Sequence, residues 1–249
     1  ETMTLTATSY TGKYDGSAHG GTVTTNPDGA TLTYQTKDKD GNWTSATSTA
    51  PTLTDVGKID VKVTAEKKGY ETKSVEYTIE VTKRDVTLTS ASDEKVYDGI
   101  ALTNNTVTVG GDGFVEGEGA TYDVTGTATN VSDTKANNNT FTYTLNDKTQ
   151  ADNYNITTVE GTLTITPVAI ELTANSDSKK YNGTALTADG YTISNGSFVG
   201  EEGLASVDVE GSQTEVGSSS NTITGHTLKD NTLAENYTIT YKPGTLEVT

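Results

Sequence analysis

The sequence predicts an all-β chain made of three tandem sandwich modules. Three observations carry this. Apolar residues alternate with polar ones at a period of two, turn signals recur roughly every 8–12 residues, and a set of landmarks repeats at a spacing of 83 or 84 residues. Strict alternation is the mark of a strand with one wet face, and regular turns between short strands point to a sandwich of about seven strands per module.

The repeat fixes the boundaries. Tyr14-Asp15-Gly16, Tyr97-Asp98-Gly99 and Tyr181-Asn182-Gly183 are in phase with Gly69-Tyr70, Asn153-Tyr154 and Asn236-Tyr237. They are also in phase with the closing segments Ile79-Glu80-Val81-Thr82, Leu163-Thr164-Ile165-Thr166 and Leu246-Glu247-Val248-Thr249. Three landmarks in phase divide the chain into residues 1–83, 84–167 and 168–249. The second and third repeats are close relatives. They share Gly113-Phe114-Val115 and Gly196-Ser197-Phe198-Val199, each followed by an acidic-Gly turn, and the ends Gly161-Thr162-Leu163 and Gly244-Thr245-Leu246. The first repeat diverges, with Pro27-Asp28-Gly29, Asp38-Lys39-Asp40-Gly41-Asn42-Trp43 and Thr54-Asp55-Val56-Gly57.

Alternation places the strands. Val86, Leu88 and then Ala91 open the second repeat, and Ile170 with Leu172 opens the third. Leu163 with Ile165 and Leu246 with Val248 close them, as Tyr77, Ile79 and Val81 close the first. The reading is of half-buried antiparallel strands. At this length each module buries about 60–65% of its chain surface, so part of its stability is expected from packing on its neighbours. The junctions Thr82-Lys83-Arg84-Asp85 and Thr166-Pro167-Val168 have none of the Gly/Ser content of a flexible linker. Short junctions favour an extended rod, on the order of 100 Å for three modules at about 3.3 Å per residue of strand.

Composition excludes several functions. There is no cysteine, hence no disulfide, thiolate nucleophile or thiolate metal site. The net charge is -17, with -2, -8 and -7 in the three repeats, which repels phosphate backbones and anionic lipid. No nucleic-acid partner and no membrane insertion in this fragment are expected. No apolar run approaches the length of a membrane span. The acidic surface favours solubility and a monomer.

Each candidate site has a structural reading. The Asp/Asn-Gly of the triplet reads as a tight turn with its Tyr anchored on the core. Tyr70, Tyr154 and Tyr237 stand at the start of the penultimate strand, with a hydroxyl expected to bond upstream backbone at a corner. Asp38, Asp40 and Asn42 alternate as in a calcium loop, but Trp43 and Thr49 replace the Gly and Glu that such a loop needs, so a hairpin turn is expected. Trp43 is expected to pack over that hairpin. His19 and His226, the only histidines, stand far apart in the sequence and receive no role. No catalytic residue, cofactor or metal ligand is assigned, and the chain is read as not an enzyme.

The Tyr-Asp-Gly triplet, the Gly-x-Phe-Val-like segment and the Asn-Tyr-x-Ile…Gly-Thr-Leu ending resemble the YDG and MBG-type repeats of bacterial surface proteins. The resemblance covers residues 84–249 well. Residues 1–83 are similar to other bacterial Ig-like repeats. It implies Ig-like β-sandwich modules, an extracellular location on a bacterial cell surface or in a secreted protein, and a non-catalytic structural or presentation (stalk) role. It implies no particular ligand; the alternative reading is an adhesin module binding a host glycan, mucin or surface protein, for which the ligand-binding residues are unknown.

Overall fold

The computed structural model describes residues 1–249, and the chain is all-β. Residues 1–83 form β1 (Thr4–Thr8), β2 (Tyr10–Lys13), β3 (Thr22–Asn26), β4 (Thr31–Thr36), β5 (Gly57–Glu66) and β6 (Lys73–Thr82). Residues 84–167 form β7 (Arg84–Ser90), β8 (Asp93–Val96), β9 (Val107–Gly111), β10 (Ala120–Val124), β11 (Phe141–Leu145), β12 (Tyr154–Val159) and β13 (Leu163–Thr166). Residues 168–249 form β14 (Val168–Ala174), β15 (Asp177–Lys179), β16 (Tyr191–Asn195), β17 (Leu204–Glu210), β18 (Gly217–Leu228), β19 (Tyr237–Lys242) and β20 (Gly244–Val248). The sheets are β1-β3, β2-β6-β5-β4, β12-β7-β9, β13-β8, β10-β11, β16-β14-β19 and β15-β20-β18-β17. None of them pairs strands from different repeats.

Packing gathers the chain into two compact units. The first holds residues 1–89, 107–122 and 143–159, and the second holds 90–106, 123–142 and 160–249. The middle repeat therefore contributes to both. In the first unit, Val61, Val63, Tyr77 and Ile79 of one sheet meet Leu5, Ala7 and Val23 of the other. In the second unit, Ile170, Leu172 and Tyr237 of one sheet pack against Ile223 of its partner, with Leu163 and Ile165 in the same core. Leu163, Leu172 and Leu246 are fully buried, and each such side chain stabilises by about 1.5–3 kcal/mol.

The expected alternation holds, while the expected pairing direction does not. β7 pairs parallel with β12 (Val86 beside Ile156), and β14 pairs parallel with β19 (Ile170 beside Ile239). β8 and β13, β15 and β20, and β2 and β6 are parallel as well. Alternation reports which face of a strand is buried and is silent on direction. Parallel partners need a long crossover, and here the rest of the repeat supplies it. The opening segment thus serves two sheets: β14 pairs in one and β15 in the other, the kind of switch that joins the layers of a sandwich.

The switch point also corrects the opening pattern of the second repeat. Ser90, not Ala91, is the third inward residue, donating to the Asn139 carbonyl at 2.6 Å and accepting from the Gly161 amide at 2.9 Å. The buried Asn139 amide donates to the carbonyls of Ala91 and Asn104 at 2.8 and 2.9 Å, closing the bend where the chain leaves the first sheet. Asn221 repeats this in the third repeat, donating to Asn175 and Ala188 at 2.9 and 2.7 Å.

Candidate functional site

Two similar groups of polar side chains converge where one repeat hands over to the next. At the first junction, the triplet turn of residues 14–16 meets the loop 113–119 and the start of β12. Asp15 folds the turn by accepting the Ser17 amide at 2.8 Å, and Gly16 takes a φ of 79° that disfavours side chains. The Tyr14 amide donates to the carbonyl of Thr82, the last residue of β6, at 2.9 Å, so the turn is pinned to the closing strand of its own repeat. The ring then points into the next repeat. Tyr14 is 5% exposed and meets the Tyr154 ring edge-on, with centroids 5.5 Å apart and planes at 82°.

Glu118 joins the two rings. Tyr14 Oη donates to Glu118 Oε1 at 2.5 Å, and Tyr154 Oη donates to Oε2 at 2.7 Å. Each carboxylate oxygen thus accepts one phenol, a charge-assisted arrangement. The Val115 amide donates to Tyr154 Oη at 3.1 Å, and Phe114 covers the same ring at 5.2 Å. A second clamp lies alongside. Asn153 Oδ1 accepts the Val56 amide at 2.8 Å while its Nδ2 donates to Asp55 Oδ1 at 2.8 Å, using both ends of one buried amide.

The second junction repeats this group for group. Tyr97, 6% exposed, donates to Glu202 Oε1 at 2.7 Å, Tyr237 donates to Oε2, and the Val199 amide donates to Tyr237 Oη at 3.0 Å. Asn236 accepts the Val131 amide at 2.9 Å and donates to Asn130 Oδ1 at 2.9 Å. Burial pushes the phenols of all four tyrosines up, and the hydrogen bond to the glutamate adds to it; Tyr14 reaches about 12. Each ring therefore stays a neutral donor, and each glutamate is placed as its acceptor. The geometry is that of a binding joint.

The structure sorts the residues flagged from sequence. Tyr154 and Tyr237 do open the penultimate strand and accept from upstream backbone amides, and each ring also meets a tyrosine ring of the preceding repeat. Tyr70 differs: it lies in the turn before β6, its amide donating to the Lys67 carbonyl at 3.0 Å. Of the triplet tyrosines, Tyr14 and Tyr97 reach across a junction, Tyr97 sharing a core with Ala128, Leu163 and Ile165 of its own repeat, while Tyr181 is 51% exposed. Asp38 Oδ1 accepts the amides of Asp40 and Asn42, each at 2.9 Å, so this carboxylate closes a hairpin turn. Trp43 packs over that hairpin, with Lys37 Nζ 5.0 Å and Lys62 Nζ 5.9 Å from its ring centroid. His19 stacks on Tyr10 at 4.3 Å and bonds Asp15 at 2.8 Å; His226 bonds Tyr241.

Sequence reasoning missed Glu118, Glu202, Asn153 and Asn236 as a set. The signal was present: both glutamates sit four residues after the Phe, and both asparagines directly precede the Tyr. The first repeat has Gly69 before Tyr70 and no Phe-Val loop, so it lacks this receiving set.

No family model and no curated protein sequence matches the chain. Among solved structures, the SGBP-B protein of a Bacteroides ovatus mixed-linkage glucan utilization locus, in complex with a mixed-linkage heptasaccharide, is 15% identical over 97% of this chain, with a TM-score of 0.23. This chain spans 66% of that one. Mouse cadherin-23 EC22-24 is 12% identical, with 99% of each chain covered and a TM-score of 0.26. Human CDH23 EC21-23 is 10% identical, with 97% of this chain and 98% of that chain covered and a TM-score of 0.26.

Proposed function

We propose that this chain is a non-catalytic presentation region of an extracellular bacterial protein, a stalk of three tandem β modules whose task is to set the position of whatever it is joined to. The observation that supports this reading is the duplicated joint. Two phenols, one glutamate and one buried asparagine are spent, twice, on fixing one repeat against the next. A chain whose repeats served only as independent binders would need no such joint, because a flexible linker suffices for them. The acidic surface suits a solvated spacer, and the depression beside β4 is lined by Tyr34, Thr36, Thr44, Thr47 and Pro51 without a charged group.

The test is a glycan, mucin and host-protein binding screen of the intact chain. The stalk reading expects no saturable binding. Saturable binding that Trp43→Ala abolishes replaces it with the adhesin reading, since Trp43 is the one tryptophan and belongs to the repeat that differs from the other two.

A further inference from the structure

The third repeat carries the same joint surface as the first two, and nothing covers it. The scaffold is equivalent. The Tyr181 amide donates to the Thr249 carbonyl at 2.8 Å, as Tyr97 does to Thr166 at 2.8 Å and Tyr14 to Thr82 at 2.9 Å. Gly183 has a φ of 78°, matching 79° at Gly16 and 75° at Gly99. The bridges His19–Leu53, Leu102–Ala128 and Leu186–Gln213 set a Thr-x-Val segment beside the triplet in each repeat: Thr54-Asp55-Val56, Thr129-Asn130-Val131 and Thr214-Glu215-Val216.

The environment is not equivalent. Tyr181 is 51% exposed and Val216 is 68% exposed, whereas Val56 and Val131 are half-buried. A methyl added at Gly16 would lie 3.0 Å from Val115, and one at Gly99 would lie 3.2 Å from Val199, but at Gly183 it would meet nothing. A phenol, a valine and a carboxylate thus stand in open solvent, in the arrangement that is covered twice elsewhere in the same molecule.

We propose that the face formed by Tyr181, Gly183, Glu215 and Val216 is a docking surface for one kind of partner. That partner is a β repeat with the receiving set, a Phe-Val loop with Glu four residues after the Phe and an Asn-Tyr pair opening its penultimate strand, joined directly to the closing strand. Its glutamate accepts the Tyr181 hydroxyl, its Phe-Val loop covers Gly183, and its asparagine takes the Val216 amide and donates to Glu215. Direct joining follows from the two existing joints, where β6 leads into β7 and β13 into β14 across a single intervening residue. A second copy of this chain does not fit. Its receiving sets at Glu118 and Glu202 are both engaged, and its first repeat has none. The proposal is independent of whether any repeat binds a glycan.

The test extends the full chain. In one version residues 167–249 are repeated after Thr249, and in the other residues 83–167 are repeated there. Hydroxyl-radical oxidation of Tyr181 is read by mass spectrometry, with Tyr97 in the same molecule as the covered reference. The expected result is that oxidation of Tyr181 falls to the level of Tyr97 in at least one extended chain. It should return when the added copy carries the changes equivalent to F198A, E202A and N236A, or F114A, E118A and N153A. Tyr181 oxidised at its unextended rate in both chains overturns the proposal. Protection of Tyr181 that grows with concentration of the unextended chain also overturns it, in favour of a second copy.

Discussion

The junction around Glu118 and the junction around Glu202 hold the same phenols, carboxylate and asparagine, yet differ in what rings them. At the first, Lys13 bonds Asp85 at 2.9 Å and Asp112 at 2.5 Å, and Arg84 reaches the carbonyls of Gly113, Asp112 and Tyr14. At the second, the sequence places Val96, Val168 and Ala169 where Lys13, Arg84 and Asp85 stand, and the ion pair nearby, Lys95 with Asp98 at 2.6 Å, lies within one repeat and does not cross the junction. The contrast separates what a joint requires from what one pair of neighbours adds. The buried hydrogen bonds recur because leaving a buried phenol or amide unpaired is costly. The ion pairs do not recur because they are half exposed, and exposed pairs contribute little. They arise where the lysine-rich first repeat meets the more acidic second one.

The largest effects are expected from the shared part, at both junctions alike. Tyr154→Ala and Tyr237→Ala remove buried rings and should each cost about 3–5 kcal/mol in chemical denaturation. Tyr181→Ala, the same kind of residue without a cover, should stay within about 0.5 kcal/mol. A cost of under about 1 kcal/mol for Tyr154→Ala would mean that the ring is not part of a packed joint. Next come the glutamates. Glu118→Ala or Glu202→Ala strips two phenols of their acceptor and should cost about 1.5–3 kcal/mol, the range for hydrogen bonds to a charged group. If the two variants differ widely, the joints are not equivalent.

The all-β class was legible because alternation and turn residues are local signals, and the repeat was legible because Tyr154 and Tyr237 recur in phase. Strand direction was not legible: Val86 and Ile156 are 70 positions apart, and nothing in either segment records which way its partner runs. The joint was half legible. Its tyrosines and asparagines were visible as landmarks repeated along the chain, but a tyrosine 14 residues into one repeat and a glutamate in the next look like separate turn features. Only their convergence on one carboxylate gives them a common role.

Alkali should act on both joints with the same sign. The folded phenols titrate above the ordinary value of 10.0, Tyr14 at about 12. A group with a raised folded pKa contributes stability that is complete below its unfolded value and is lost as pH rises through the folded one. Stability should therefore be flat up to about pH 10 and fall from there to about pH 12. Tyr14→Phe and Tyr97→Phe should each flatten part of that fall, as followed by denaturant midpoint against pH. A fall that neither variant alters would place the alkaline sensitivity outside the joints.

The smallest expected effect is the one that tells the joints apart. Lys13 holds the carboxyls of Asp85 and Asp112 below the ordinary 3.8, first through its hydrogen bonds and then through its charge. A carboxylate with a depressed folded pKa contributes stability that is present above its unfolded value and lost as pH falls through the folded one. The contribution of this cluster should thus be intact at neutral pH and disappear as pH drops below about 4. Because the three groups face solvent, salt should remove it as well, since the Debye length shrinks to about 3 Å at 1 M. Lys13→Met should lower the denaturation midpoint slightly at low salt and not at all in 1 M salt. Val96→Met, at the matching position of the second joint, should show no salt dependence. A salt-independent loss in Lys13→Met would assign Lys13 to packing through its aliphatic stem, and the difference between the two joints would then be one of shape and not of charge.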